Sequence, residues 1–220
     1  MSRKYKKENE DIMKVITLGE GGVGKTSIIR RYIDNEFDEN VLSTIGLNFS
    51  FKNIELKDGN TIKLKLIDTA GQEKYRALAK SYFKNIDAVL FIFALDNQES
   101  FDNIKNWINL YNDNHNGKAD IPKYLIGNKS DQEKEVEDDL IEKFKIEYKD
   151  YKYYETSAKI NEGIEKLFQD LGEDLYKILN KNGGRENKCQ TNIEISKYVK
   201  PKKSSCSCLK VDDTDYKKKD

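Results

Sequence analysis

Cysteine is missing from most of this 220-residue chain: Cys189, Cys206 and Cys208 all lie in its last stretch. No disulfide can staple a core, which suits a reducing compartment. Long apolar runs are missing too. The longest, Ala88 to Leu95, is far too short to span a bilayer. The opening residues, MSRKYKKENEDI, lack the apolar centre of a secretory signal. The expectation is a cytosolic protein, soluble unless something attaches it to a membrane. A net charge is also absent, since 39 Lys and Arg balance 39 Asp and Glu. No overall field draws the chain to nucleic acid, and any basic character is local. The one histidine, His115, follows a helical stretch and receives no role.

What is present is one domain's worth of blocks. Hydrophobic residues are 37% and charged residues 35%, enough for a single core with a polar surface. Residues 1–10 read as a flexible lead-in, 11–181 as the folded domain and 182–220 as a polar tail. Strands are expected at Ile12–Leu18, Leu47–Leu56, Thr61–Ile67, Ala88–Ala94, Lys123–Gly127 and Tyr151–Thr156. Asp58-Gly59 marks a hairpin between the second and third. Helical spacing fills Lys25–Asn35, Ser100–Asn114, Val136–Tyr148 and Ile164–Leu179. Alternating strands and helices predict an α/β fold, a mostly parallel sheet with one antiparallel edge strand and helices on both faces.

Gly19-Glu20-Gly21-Gly22-Val23-Gly24-Lys25-Thr26 follows a strand, opens a helix and fits the phosphate-loop pattern, with Ser27 just beyond. Its glycines let successive N–H groups converge on phosphate oxygens, and the helix points its positive end there. Lys25 adds a point charge for the terminal phosphates, and the Thr26 hydroxyl suits Mg²⁺. A ligand-free glycine turn matches by chance in roughly one chain of this length in a hundred. Asn128-Lys129-Ser130-Asp131 ends another strand. The Asp131 carboxylate only accepts hydrogen bonds, so it selects the N1–H and 2-amino donors of guanine over adenine. Asn128 can bridge base and loop, and the Lys129 stem can lie over the ring. In Thr156-Ser157-Ala158-Lys159 the Ala158 N–H can meet the guanine carbonyl. Asp68-Thr69-Ala70-Gly71-Gln72-Glu73 places Asp68 for Mg²⁺, the Gly71 N–H for the γ-phosphate and Gln72 for the attacking water.

With these motifs the chain, over about residues 12–180, resembles the Rab family of Ras-superfamily small GTPases. Ser43-Thr44-Ile45-Gly46-Leu47-Asn48-Phe49, Lys63 to Glu73, Tyr75-Arg76-Ala77-Leu78 and Tyr82-Phe83-Lys84 are similar to its signature segments. The resemblance implies a P-loop fold with six strands and five helices. It implies a slow GTP-to-GDP switch of vesicle and membrane traffic, with a nucleotide exchange factor and an Arg-supplying activating protein. Effectors would read Ile45, Phe49 and the Tyr75–Tyr82 surface, and the chain would act as a monomer. Thr44 would join Mg²⁺ in the GTP state, and Phe37 would pack edge-on against guanine. Ile67 stands where these proteins usually carry Trp, beside the positions of Phe49 and Tyr82, and Leu47-Asn48 replaces Val-Asp. Both changes should alter effector contacts and leave hydrolysis intact.

Cys206-Ser207-Cys208 resembles the family's prenylation signal, but 12 residues, Leu209–Asp220, follow it. Prenylation on the cytosolic face of membranes, S-palmitoylation and a solvated tail with free thiols stay open. Two rival functions are a P-loop ATP-dependent kinase, which would lack Asn128–Asp131, and a non-hydrolysing guanine-nucleotide scaffold.

Overall fold

The computed structural model describes residues 12–39, 44, 46–71, 83–115 and 121–181. The lead-in, the tail with Cys206 and Cys208, and Ile45, Gln72 and Tyr75–Tyr82 lie outside these residues. The strands are β1 (Ile12–Leu18), β2 (Leu47–Glu55), β3 (Thr61–Thr69), β4 (Ala88–Ala94), β5 (Lys123–Asn128) and β6 (Tyr151–Thr156). The described helices are α1 (Lys25–Asp34), α2 (Gln98–Asp102), α3 (Ile104–Asn114), α4 (Asp138–Glu147) and α5 (Ile164–Lys181).

The six strands form one sheet in the order β2-β3-β1-β4-β5-β6. Only the β2–β3 pair is antiparallel, with Leu47 opposite Thr69 and Glu55 opposite Thr61. Its turn leaves three residues, Lys57–Gly59, between the paired Leu56 and Asn60. The Leu56 N–H donates to Asn60 O and the Gly59 N–H to Leu56 O. Gly59 takes φ 80°, the left-handed conformation that such a loop requires at its end.

The sheet's pleat divides the core. On β4, Ala88, Leu90, Ile92 and Ala94 join Ile28 and Ile29 of α1 and Leu167, Phe168 and Leu171 of α5. Val89, Phe91 and Phe93 of the same strand point the other way, toward Trp107 and Tyr111 of α3 and Ile141 and Phe144 of α4. An unbroken apolar strand is thus buried on both faces.

Several boundaries shift by one or two residues from the sequence expectation, and two of the shifts have a visible cause. The helix expected from Ser100 begins at Gln98, because the Asn97 side chain accepts from the Ser100 N–H at 2.8 Å and caps it. A tight turn at Asn103 then splits it into α2 and α3. Strand β3 runs on to Thr69, held where the Thr69 hydroxyl donates to Thr17 O at 2.7 Å.

Helix α5 is fastened to the sheet by a polar cluster. The Tyr124 hydroxyl donates to Asp174 at 2.6 Å, and Lys152 also bonds that carboxylate. Burial raises the Asp174 pKa, but hydrogen bonds from Lys152 and Tyr124 outweigh it and hold it below the usual value. A depressed carboxylate stabilises the fold above its unfolded pKa and loses that effect as pH falls through the folded one. Asp174→Asn should therefore cost about 1–2 kcal/mol at neutral pH. The gap from the parent, followed by urea melts, should close as pH drops below about 4.

Candidate functional site

The carboxyl ends of β1, β3, β4, β5 and β6 meet one cavity of about 470 Å³. Its walls include Gly21, Gly22, Gly24, Lys25, Thr26, Ser27, Phe37, Thr44, Gly71, Asn128, Lys129, Asp131, Ala158 and Lys159. Residues from four separate motifs therefore line a single space.

At one end lies the loop Gly19–Thr26. Gly24 takes φ 94° and caps α1 without a side chain, so the helix's first N–H groups have no capping oxygen. Lys25 is 5% exposed. Its ammonium donates to Gly19 O at 2.9 Å and Glu20 O at 2.7 Å. Burial lowers its pKa to about 8, against the opposing pull of Asp68 and Glu20. A buried cation in this position is matched to an anionic ligand. Gly71 packs so closely that a Cβ would stand 2.2 Å from Glu20 O. No larger residue fits there.

Beneath the loop three oxygens converge. The Thr26 hydroxyl donates to Asp68 Oδ2 at 2.7 Å, and its oxygen lies 2.7 Å from Thr44 Oγ1. Since Thr26 has one hydroxyl proton, Thr44 is the donor in the second bond. Asp68 is 4% exposed, and its Oδ1 is buried without a partner among the described residues. Burial raises its pKa, with Thr26 and Lys25 acting the other way. A buried carboxylate oxygen with no donor beside two hydroxyls fits a hard cation such as Mg²⁺, which takes few protein ligands. No cluster of three or more His, Cys, Asp or Glu that could hold a metal occurs among the described residues.

At the other end the Asn128 amide spans two loops. Its Nδ2 donates to Val23 O at 2.8 Å, and its Oδ1 accepts from the Thr156 hydroxyl at 3.2 Å. Lys129 adopts φ 66°, and its ammonium bonds Asp96 at 3.0 Å. Asp131 Oδ1 accepts from the Ser157 hydroxyl and Oδ2 from Gln132, each at 2.5 Å. Burial pushes the Asp131 pKa up, yet these two bonds prevail and hold it low, so the group stays ionised. Ser157 is buried behind it and does not line the cavity. Phe37 both packs against the core and faces the cavity.

Similarity to known proteins agrees with this arrangement. The Ras family model matches residues 14–177. The Ras-related protein Rab-8B of Pongo abelii is 34% identical over 202 residues, which cover 90% of this chain and 96% of that protein. The chain belongs to the Rab family of Ras-superfamily small GTPases. Rab-8A of Bos taurus is 37% identical over 172 residues, 77% of this chain and 81% of its own. Rab-8 of Diplobatis ommata is 36% identical over 196 residues, 88% and 90%. This Rab is a guanine-nucleotide-binding, GTP-hydrolysing switch of membrane traffic, served by exchange factors, activating proteins and effectors. A non-hydrolysing scaffold is not favoured. Among its described residues no helix is long and apolar enough to cross a membrane.

Several residues at the site were not legible in the sequence. Asp96 carries no motif, yet it lines the cavity and holds Lys129. Glu39, which no motif marks, forms an ion pair at 2.7 Å with the expected Lys159, and both line the cavity. The indole of Trp107 donates to Glu20 Oε1 at 3.0 Å, tying α3 to the phosphate loop.

Ile67 settles into the core at 2% exposure and pairs in register with Phe49. Phe49 itself is 41% exposed, with the Lys65 ammonium 4.2 Å from its ring centre.

Proposed function

We propose that this Rab holds Mg²⁺–GTP with its phosphates on Gly19–Ser27 and its base between Asn128–Asp131 and Ser157–Lys159. The observation that carries the reading is the meeting of Thr26 Oγ1, Thr44 Oγ1 and Asp68 Oδ2, with Asp68 Oδ1 unpartnered among the described residues, beside the buried Lys25. Lys25 neutralises the terminal phosphates and Gly71 donates to the γ-phosphate. Asn128 joins base and loop, the Lys129 stem covers the ring, and Phe37 packs against its edge. Thr26, Thr44 and Asp68 would hold Mg²⁺, which would supply neutralisation of the negative charge that builds up on the transferring phosphate. Gln72 orients the attacking water.

The γ-phosphate then anchors two loops, through Thr44 and through Gly71. Its loss on hydrolysis releases both. Ile45, Phe49 and Tyr75–Tyr82 are the surface whose form partners read, and Ile67 in place of Trp changes that surface without touching the nucleotide. The unit that does this is residues 11–181, flanked by 1–10 and 182–220. No cis arginine stands among the residues that match the family, so an activating protein supplies it. Cys206 and Cys208 are the candidate anchors to the cytosolic face of membranes, assisted by Lys200, Lys202 and Lys203.

Single-turnover hydrolysis tests the catalytic part. The purified protein should turn over on the order of 10⁻⁴ s⁻¹, and an activating protein should raise this about 10⁵-fold. Gln72→Leu should keep GTP bound and lose at least about 100-fold of the stimulated rate. Unchanged stimulated turnover would remove Gln72 from the mechanism.

A further inference from the structure

Arg31 sits near the far end of α1, away from the phosphate loop, and the nucleotide motifs do not include it. Its guanidinium is nevertheless spent on the base side of the cavity. Nε donates to Ala158 O at 2.8 Å and Nη2 to Lys159 O at 3.1 Å. Nη1 donates to Asn35 O at 2.8 Å, where Asn35 closes the helix with φ 56°. Asn161 Nδ2 in turn donates to Asn35 Oδ1 at 3.2 Å. The same guanidinium carbon lies 5.8 Å from the Phe37 ring centre. One planar fork thus fixes the backbone of the Ser157–Lys159 loop, the end of α1 and the approach of the chain to Phe37.

A carbonyl shares its rigid peptide plane with the N–H of the following residue. Clamping the carbonyls of Ala158 and Lys159 therefore fixes the two peptide planes that follow Ala158, while Glu162, whose N–H donates to Ser157 O, fixes the plane that carries the Ala158 N–H. The loop is pinned on its other side as well. Ser157 pairs with Glu162 through both backbone bonds, and the Ile160 N–H donates to Ser157 Oγ. The Ser157 hydroxyl donates onward to Asp131.

We infer that Arg31 is a positioning residue for guanine recognition. It locks the carbonyl side of Ala158, as Glu162 locks its amide side, so that the Ala158 N–H stays on the base's 6-oxo group, and it steadies Phe37 at its edge. This rests on the base site proposed above. Helix α1 then links the two ends of the ligand. Its first turn serves the phosphates and its last turn, about 9 Å further along the axis, serves the base. Lysine cannot replace the fork, because a single ammonium cannot hold three carbonyls in one plane.

The test uses the full-length chain loaded with GDP or with 6-thio-GDP, whose sulfur is a poor hydrogen-bond acceptor but whose N1–H and 2-amino donors remain. Release rates are measured for the parent, Arg31→Met, Arg31→Lys and Asp131→Asn. Arg31→Met should speed GDP release about tenfold or more, and 6-thio-GDP release by less than about threefold. Arg31→Lys should behave as Arg31→Met. Equal acceleration for both nucleotides would mean a general loosening of the fold and would overturn the inference. So would a parent-like Arg31→Lys, or no acceleration in Arg31→Met. If Asp131→Asn also releases GDP no faster than the parent, the base site itself is misplaced. If Asp131→Asn loses GDP while Arg31→Met does not, only the role of Arg31 fails.

Discussion

Asp131→Asn will cost this protein its grip on guanine nucleotides and give it one on xanthine nucleotides. In the structure both oxygens of Asp131 are presented as acceptors, each already steadied by a donor, Ser157 on one and Gln132 on the other. Guanine offers two donors side by side, N1–H and the 2-amino group, and a carboxylate accepts both. An asparagine replaces one acceptor with an NH₂ group. That NH₂ meets a donor on guanine, and both are left unpaired. Sites built on such pairs reject a mismatched ligand by about 10⁴-fold. Xanthine carries an oxygen in place of the 2-amino group, and that oxygen accepts from the new amide. Competition of bound nucleotide by XDP and GDP should therefore reverse in order. A variant that still prefers GDP would mean that Asp131 does not face the base.

Gly19→Ala should prevent a stable fold, while Gly22→Ala, three residues on, should be tolerated. A Cβ on Gly19 would lie 2.0 Å from the carbonyl oxygen of Ile92. Ile92 belongs to β4, the strand buried on both faces, so neither chain can yield. Gly19 also sits at φ 147°, where side chains are rarely found. Backbone-on-backbone overlap of this depth belongs to the exceptional class of substitutions, beyond about 4–5 kcal/mol. At Gly22 the φ is 77°, yet a Cβ would meet nothing within 4 Å. The cost there is the left-handed backbone alone, about 1–2 kcal/mol. Soluble yield and thermal melting of the two variants separate the cases. Equal melting temperatures would show that β1 and β4 do not pack as described.

The sequence is most informative where chemistry forces a residue type at a fixed spacing. The strand–loop–helix around Lys25, the strand-end Asn128–Asp131 and the buried run Ala88–Ala94 are all legible for that reason. So is the sheet itself, whose alternation with helices leaves few topologies. Residues that act through tertiary contacts are not legible. Arg31 bonds carbonyl oxygens, which every residue possesses, so Ala158 and Lys159 carry no trace of their partner. Asp96 and Lys129 are far apart in the chain and become neighbours only because β4 and β5 are. The early start of α2 turned on one side chain, Asn97, reaching the Ser100 amide. Nothing in the spacing of apolar residues records that bond.

The strand order also sets a schedule for synthesis. Strand β1 is made first, yet its two sheet neighbours are β3 and β4. The hairpin of β2 and β3 is the one pairing between strands joined by a short turn, and such units close within microseconds. It can form while β1 waits. But β1 has no partner on its other side until residue 94 has been joined and has left the ribosome. Until then the segment IMKVITL and the glycine loop after it are a nascent chain with one unsatisfied edge. The loop proposed to bind phosphate is therefore made early, yet the strand before it stays open on one side until β4 has been joined.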